Sequence, residues 1–351
     1  MTSTTYPEFS ESTESLEVAK KFAGEIQERT ILVTGVNRGG IGFSTAQAFA
    51  SQSPSTLIIA GRTPSRIQDC IDALKQEYPE VNYRALKLDL SSQKAVREAA
   101  AELLSWTDVP TIDILINNAA VMNLPERQLS EDGLEMQFAT NHIGHFLFTN
   151  LIMSKLIKGA RIVNVTSLSP TVAGMRWSDI NFEKTNKDLP EAEQPPYEMH
   201  RRWGEVDPEE KSYLPLEGYN QSKVANVLFS IAANKLLYEK HGILSLAVHP
   251  GIIQTELGRY AAPETRAAIQ EMRDSGMIHF KTLGAGAATS LVAATDPKLG
   301  MPGTKDGVEN YGIYMMDCQI SEKAGSRAVS NSEAERLWKL SEDLVKETFV
   351  W

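Results

Sequence analysis

Short apolar, β-branched runs alternate along the first half of the chain with segments whose apolar residues recur every three or four positions. The runs cover 30–34, 56–60, 82–88, 112–116 and 161–165, with a sixth at 244–248. Runs of this length without polar alternation suit strands buried on both faces, and the intervening periodicity suits helices packed against them. The first such helix presents Phe43, Ala46, Ala48, Phe49 and Ala50; others are predicted over 65–78, 92–104 and 134–156. A longer one over 219–238 carries Val224, Val227, Leu228, Ile231 and Leu236 as its apolar stripe, and 285–294 and 332–348 read as two more. Residues 311–314 suggest a short strand. Strict alternation of strand and helix predicts an α/β fold built on one doubly wound parallel sheet with helices on both faces. Ligands in such folds bind beyond the C-terminal ends of the strands.

Two stretches break the rhythm. Residues 176–216 hold Pro190, Pro195, Pro196, Pro208 and Pro215 among many charges, with Trp177, Phe182, Tyr197, Trp203 and Tyr213 spaced through them. They read as an insertion before the 219–238 helix, a partly ordered cover anchored by its aromatics. Residues 252–281 read as a second excursion containing a helix, a lid over a substrate. The resulting division is 1–29 as an N-terminal segment, with 1–15 a mobile tail and Leu16, Val18, Phe22 and Ile26 marking a short helix, and 30–351 as one domain.

Composition acts mainly by exclusion. A formal charge of −10 with no compensating basic stripe argues against nucleic acid. Cys70 and Cys318 form no metal or redox pair by spacing and read as reduced thiols of a cytoplasmic protein. The Ser/Thr/Glu-rich start is not a secretory signal, and no apolar window is long enough to span a bilayer, although peripheral attachment through an apolar lid remains compatible.

The chemistry begins where the first strand ends. Gly35, Gly39, Gly40 and Gly42 lie between that strand and its helix, where a pyrophosphate needs backbone N–H donors and close approach without Cβ atoms. Tyr219 and Lys223 stand one helical turn apart, so phenol and ammonium share a face and the cation is expected to lower the tyrosine's pKa. Ser167 follows the fifth strand and is placed to meet a substrate carbonyl, with Thr166 and Ser169 as alternatives. Asn141, mid-helix among apolar residues, needs partners; it either holds a water leading to Lys223 or bonds back to its own helix. His142 and His145 read as helix or core residues, since nothing nearby completes a metal site. About 20 positions beyond the turn, where an NAD site places an acid, the chain has Arg62, and the turn itself carries Arg38. Both favour NADP(H).

Together these residues resemble the classical short-chain dehydrogenases/reductases. The markers occur in that family's order: the 34–42 turn, Asn117-Asn118-Ala119-Ala120, Asn141, Ser167 with Tyr219 and Lys223, and Pro250-Gly251 followed by Thr255. The context of Asn141 and the Leu337-Trp338 pair are similar to the retinol-dehydrogenase-like and WW-domain-oxidoreductase-like branch. The resemblance implies a Rossmann-type fold in which Tyr219 exchanges a proton with the substrate oxygen and nicotinamide exchanges a hydride with the adjacent carbon. It makes Lys223 the residue that tunes Tyr219 and meets the ribose, Ser167 the one that orients substrate, and Asn141 part of a water-linked relay. It also implies cofactor contacts from Gly35, Asn37, Arg38, Gly39, Gly40, Ile41, Gly42, Arg62, Asp89, Leu90, Asn117, Ala119, Pro250, Gly251, Ile253 and Thr255, besides Tyr219 and Lys223. Asp89 is expected on the adenine amino group, or else as a helix N-cap. The expected substrate is a mid-sized, largely apolar ketone, aldehyde or secondary alcohol, with Trp177, Phe182, Tyr197, Tyr213, Tyr260, Met272 and Met277 as candidate lining residues. The faces of the 219–238 helix and its neighbour are expected either inside the fold or against a second copy in a homodimer. The chain departs from the family pattern in three places. Its turn is one residue longer, so either Gly39 or Gly40 fills the second glycine role; Ala120 stands where glycine is usual; and 51 residues separate Ser167 from Tyr219.

Overall fold

The computed structural model describes residues 2–351. In chain order the elements are α1 (Ser15–Lys21), β1 (Thr30–Thr34), α2 (Ile41–Ala50), β2 (Thr56–Gly61), α3 (Pro64–Glu77), β3 (Asn82–Lys87), α4 (Gln93–Ser105) and β4 (Ile112–Asn117). Next come α5 (Met136–Phe138), α6 (Gly144–Leu151), β5 (Leu156–Val165), α7 (Tyr197–Arg202), α8 (Pro215–His241), β6 (Leu244–His249), α9 (Pro263–Asp274) and α10 (Leu283–Thr295). The chain closes with β7 (Gly303–Lys305), β8 (Val308–Tyr311), β9 (Tyr314–Met316), β10 (Gln319–Ile320) and α11 (Asn331–Val345).

The main sheet has the order β10-β9-β6-β5-β4-β1-β2-β3, parallel throughout except for β10, which pairs antiparallel with β9. Alternate residues feed two cores: Leu32 of β1 joins Val96, Phe146, Val224 and Leu337 on one face, while Ile31 and Val33 join Val18, Phe49, Leu74 and Leu291 on the other. This is the doubly wound arrangement expected from strands apolar at every position. Strand order reverses between β1 and β4, so a crevice opens above their C-terminal ends. No helix among the described residues is long and apolar enough to cross a membrane.

Three expectations need correction, and one question left open is answered in part. Of the segment expected to be a mobile tail, residues 2–15 are held in place: the Thr5 amide and hydroxyl both bond Asp296 at 2.6 Å, Gln319 donates to the Tyr6 and Phe9 carbonyls, and Phe9 is buried. A polar composition concealed a segment that closes one edge of the sheet. The 311–314 strand divides, with β8 forming a separate hairpin with β7, and the sheet strand β9 starting only at Tyr314. Of the two settings left open for the apolar face of α8, packing inside the fold is seen where Phe229 stacks on Trp338 of α11 and Phe146 of α6 meets both rings. The predicted 134–156 helix is interrupted by a π-type turn at Ala139–Ile143 and ends at Leu151. The extra residue in that turn rotates Asn141 out of register with the helix, and such bulges recur at functional sites.

The insertion is ordered around a buried ion pair. Arg176 bonds Asp179 at 2.6 Å and reaches Asn186 and the Lys184 carbonyl, while Asp179 also accepts the Glu183 and Lys184 amides. With this many partners the two charges are compensated inside the fold. Phe182 lies between the Arg176 guanidinium and the Tyr213 ring.

Gly144, first residue of α6, marks where this helix touches the segment after β3. A Cβ there would overlap the Leu90 carbonyl oxygen and lie 2.8 Å from Leu90 Cβ. Alanine normally stabilises a helix relative to glycine by about 1 kcal/mol. Here Gly144→Ala is expected to lower stability by about 1–3 kcal/mol, read as a fall in the urea midpoint, because backbone must shift to admit the methyl.

Candidate active site

The crevice is a cleft of about 670 Å³ whose walls come from the C-terminal ends of β1 through β6. Its floor is set by Thr34. The Thr34 hydroxyl accepts the amides of Asn118 and Ala119 at 3.0 Å and meets His145 Nε2 at 2.9 Å. His145 Nδ1 faces the Asn141 carbonyl at 3.1 Å, which can only accept, so Nδ1 carries the proton and Nε2 accepts from Thr34. Burial pushes the His145 imidazole down to about 4, keeping this neutral tautomer at physiological pH. Gly35 is pressed against this floor at φ +70°, where a Cβ would lie 2.5 Å from Ala119 Cα.

The length of the turn follows from Gly39 and Gly40. Gly39 takes φ +73° in a turn closed by the Gly40 amide on the Asn37 carbonyl at 3.0 Å, while Gly40 has ordinary extended φ and begins α2. Two demands usually met close together are divided between neighbours: Gly39 supplies the left-handed turn and Gly40 the bare N-cap. No side chain caps α2, so its first amides face the cleft unpaired by side chains. Gly42 packs where a Cβ would sit 2.6 Å from Asn118 Nδ2.

Of the expected cofactor residues, the structure brings Gly35, Asn37, Arg38, Gly39, Gly40, Ile41, Gly42, Arg62, Asp89, Leu90, Ala119, Tyr219, Lys223, Pro250 and Thr255 to the cleft wall. Asn117, Gly251 and Ile253 lie off it. Asn117 is turned into the core, donating to Asn164 at 2.9 Å and Thr149 at 3.2 Å, because strand alternation places its side chain beneath the sheet end; Asn118 lines the cleft instead. Gly251, at φ +96°, packs on the Lys281 side chain, and Ile253 packs on Gly286. Asp89 accepts the amide and hydroxyl of Ser91 in a local turn, and the N-cap of α4 is Ser92. Sequence reasoning passed over Thr63, Arg66 and Arg259, which also line the cleft. Arg66 pairs with Glu256 at 3.6 Å, and Arg259 stacks on the Tyr260 ring. Their signal in the sequence was weak, since one arginine lies on a helix and the other in the lid.

At the inner end of the cleft, Tyr219 and Lys223 lie one turn apart on α8, both buried. Lys223 Nζ donates to the Val165 carbonyl at 2.8 Å and stands 5.6 Å from the Tyr219 ring centroid. Burial dominates both groups. It holds the phenol well above its ordinary 10 and pushes the ammonium down to about 7. The expected lowering of Tyr219 is therefore reversed, since losing water costs the phenolate more than the Ser167 hydroxyl returns. Ser167 lies within hydrogen-bonding reach of Tyr219 and donates to Ser169 at 2.6 Å. The Asn141 side chain bonds to neighbouring elements rather than back to its own helix: it accepts from the Val121 amide at 2.8 Å and donates to the Val121 carbonyl and Ser222 at 2.9 Å.

Most of the expected substrate-lining residues are loop anchors. Phe182 and Tyr213 pack on each other, Trp177 donates to Glu333, Tyr197 begins α7 and Met272 is buried on α9; only Tyr260 reaches the cleft. Their aromaticity served to order a long insertion.

A family model described as short chain dehydrogenase matches residues 29–179. The chain is 34% identical over 325 residues to the chloroplastic short-chain dehydrogenase TIC 32 A of Brassica napus, covering 90% of this chain and 88% of that one. It is 33% identical over 335 residues to retinol dehydrogenase 14 of Mus musculus, covering 92% and 87%. Among solved structures, an uncharacterised protein from Mycobacterium paratuberculosis superposes with a TM-score of 0.62 at 26% identity, over 93% of this chain and 96% of that one.

The buried Lys223 makes a stability prediction. Its folded pKa lies below its unfolded value, so between about 7 and the ordinary lysine range near 10.4 the unfolded chain binds more protons, and stability from this group rises with pH. Lys223→Met is expected to raise the melting temperature at pH 7, with the advantage over the parent shrinking toward pH 10. Melting curves of the two proteins across that range measure the difference directly.

Proposed function

The chain belongs to the short-chain dehydrogenase family, on a branch with retinol dehydrogenases, and from that premise we propose an NADP(H)-dependent oxidoreductase acting on a mid-sized, largely apolar carbonyl compound or its secondary alcohol. The observation that carries this reading is that Tyr219 and Lys223, each buried, line the same cleft as the glycine turn and the bare start of α2. When bound, the nicotinamide cofactor gives a hydride to the carbonyl carbon or takes one from the alcohol. The chain supplies the rest. The α2 amides and Gly39–Gly40 would hold the pyrophosphate, Asp89 and Leu90 the adenine, and Pro250 and Thr255 the carboxamide end.

Tyr219 gives its proton to the substrate oxygen in reduction and recovers it in oxidation. Lys223, one turn away, favours the phenolate at the moment the proton leaves. Ser167 orients the oxygen, and Asn141, tied to Val121 on one side and Ser222 on the other, keeps the cleft wall and α8 in register. The preference for NADP(H) rests on charge. Arg38, Arg62, Arg66 and Arg259 line the end of the cleft beyond β2, and the carboxylate usual in an NAD site is replaced there by Arg62. Apolar substrate is supported by Val121 on the cleft wall, by exposed Leu168 and Val172 following Ser167, and by exposed Tyr260 and Met277 in the 252–281 segment.

Following NADPH and NADH absorbance against aldehydes, aromatic ketones, steroids and retinoids is expected to show turnover with NADPH. Tyr219→Phe should lower it by roughly 10²–10⁴, the contribution of one general acid. Tight NADPH binding without turnover of any compound would overturn the reading in favour of a dinucleotide sensor. Arg62→Ala is expected to raise the KM for NADPH about ten-fold or more while leaving that for NADH nearly unchanged, because a charge-assisted contact exists only with the 2′-phosphate. Equal effects on both cofactors would remove Arg62 from the specificity determinants.

A further inference from the structure

The 252–281 segment is closed at its base and loose over the cleft. The Lys281 amide donates to the Ile252 carbonyl at 2.9 Å, Ile253 pairs with Lys281 as a parallel bridge, and Lys281 Nζ meets Asp317 at 2.5 Å. Between those two ends only Ala261 and Met272 are buried, so the segment has little apolar anchorage of its own. Its first part, 255–260, nevertheless spans the crevice. It starts beside β6, yet Glu256 reaches Arg66 on the first turn of α3, the helix after β2, at 3.6 Å. Strands β5, β4 and β1 lie between β6 and β2, so these few residues form a strap across the cleft.

Charge is distributed unevenly along this strap. Of the four arginines lining the cleft, Arg66 alone has a carboxylate partner among the described residues. That pair is long and exposed on both sides, so it holds the strap weakly. Arg38 and Arg62 belong to the glycine turn and the end of β2, whereas Arg259 belongs to the strap. Its guanidinium lies on the Tyr260 ring and donates to the Glu256 carbonyl at 2.8 Å, which leaves its charge without an anion. Tyr260 stands between the two sides: its hydrogen bond to Arg259 holds the phenol below its ordinary range, and the charge of Arg62 adds to the effect. Unpaired cations on two sides of one opening repel. A single phosphate between them removes that repulsion and supplies charge-assisted contacts to both.

We propose that Arg259 is a specificity-determining residue carried by the strap: the 2′-phosphate of NADP(H), met on one side by Arg62, draws Arg259 onto it and closes 255–260 over the crevice. This rests on the NADP(H) reading above and gives the phosphate a second task. A cofactor without it leaves Arg259 on Tyr260 and the strap held by Arg66 and Glu256 alone. Thr255 at one end of the strap and Tyr260 at the other line the same cleft as Tyr219. A phosphate at the adenosine end therefore governs how well the substrate end is covered, and the KM for the carbonyl compound depends on it as well as the KM for the cofactor. The two cofactors can shift the strap only by the difference in their contacts with its closed form, and that difference is the contact of Arg259 with the phosphate.

Trypsin reads the strap without any turnover. Arg266 is exposed on α9 and donates to the Arg259 carbonyl at 2.9 Å, so cleavage after it reports on the segment that the strap begins. Saturating NADP⁺ should slow that cleavage by about three- to ten-fold, the population shift that one charge-assisted contact supplies, while saturating NAD⁺ leaves it unchanged. Arg259→Ala, at an exposed position, should melt as the wild type does, still bind NADPH through Arg62 by fluorescence, and lose the protection. In turnover at saturating cofactor, the KM for the ketone should be about three- to ten-fold lower with NADPH than with NADH. Arg259→Ala should erase that difference, and Arg62→Ala, whose strap is intact, should keep it. Protection by NADP⁺ no greater than that by NAD⁺, or protection that survives Arg259→Ala, overturns this inference and leaves the function proposed above standing. A wild type that binds NADPH no more tightly than NADH overturns the NADP(H) reading and this inference together. Tight NADPH binding that protects Arg266 without turnover of any compound overturns the activity alone and supports the strap.

Discussion

The cleft depends on the contact between the ends of β1 and β4, where Gly35 lies against Ala119 with no room for a side chain. The Thr34 hydroxyl joins these ends by taking two amides from β4's exit and donating to a histidine that the fold keeps neutral. One hydroxyl thereby satisfies three polar groups, and it ties the sheet to the helix carrying Asn141. The glycine turn, the 118–121 wall and the π-type turn of Asn141 all take their positions from it. Strand order reverses at this point, so the contact also sets the width of the crevice.

The inner end of that crevice runs against stability. Tyr219 and Lys223 are buried, and the direction of each shift shows that water has been removed from both without a full charge partner in exchange. Lys223 has a carbonyl rather than a carboxylate, and Tyr219 has hydroxyl neighbours. The buried pair of Arg176 and Asp179 is better compensated, with several mutual and backbone bonds. The contrast between an under-compensated pair in a cleft and a satisfied pair under a loop is what separates chemistry from architecture in this fold.

The insertion belongs to both categories. Its aromatic residues order it against β4's exit loop and α11, and its one buried histidine meets the carboxylate that opens α8. Added length before the Tyr219 helix thus becomes a second layer of hydrogen bonds behind Ser167.

Much of the architecture was determined by sequence alone. Six parallel strands, most helix positions and the Tyr219–Lys223 spacing follow from local periodicity, because period and one-turn spacing are properties of neighbouring residues. The arginines of the turn and of β2's end were legible for the same reason, lying at fixed distances from the glycine cluster. What only the tertiary structure decided involves residues distant in sequence. Burial reversed the expected sign of the Tyr219 shift, strand alternation sent Asn117 inward and Asn118 to the cleft, and an N-terminal segment polar in composition found Asp296 and Gln319 to pack on. The hydrogen-bonded path from Ser167 through Ser169, Asn220 and Glu217 to His200 includes a bond between residues 51 positions apart, and no local pattern announces it. Desolvation and hydrogen-bond polarity are set by everything that surrounds a group, and those surroundings exist only once the chain has folded.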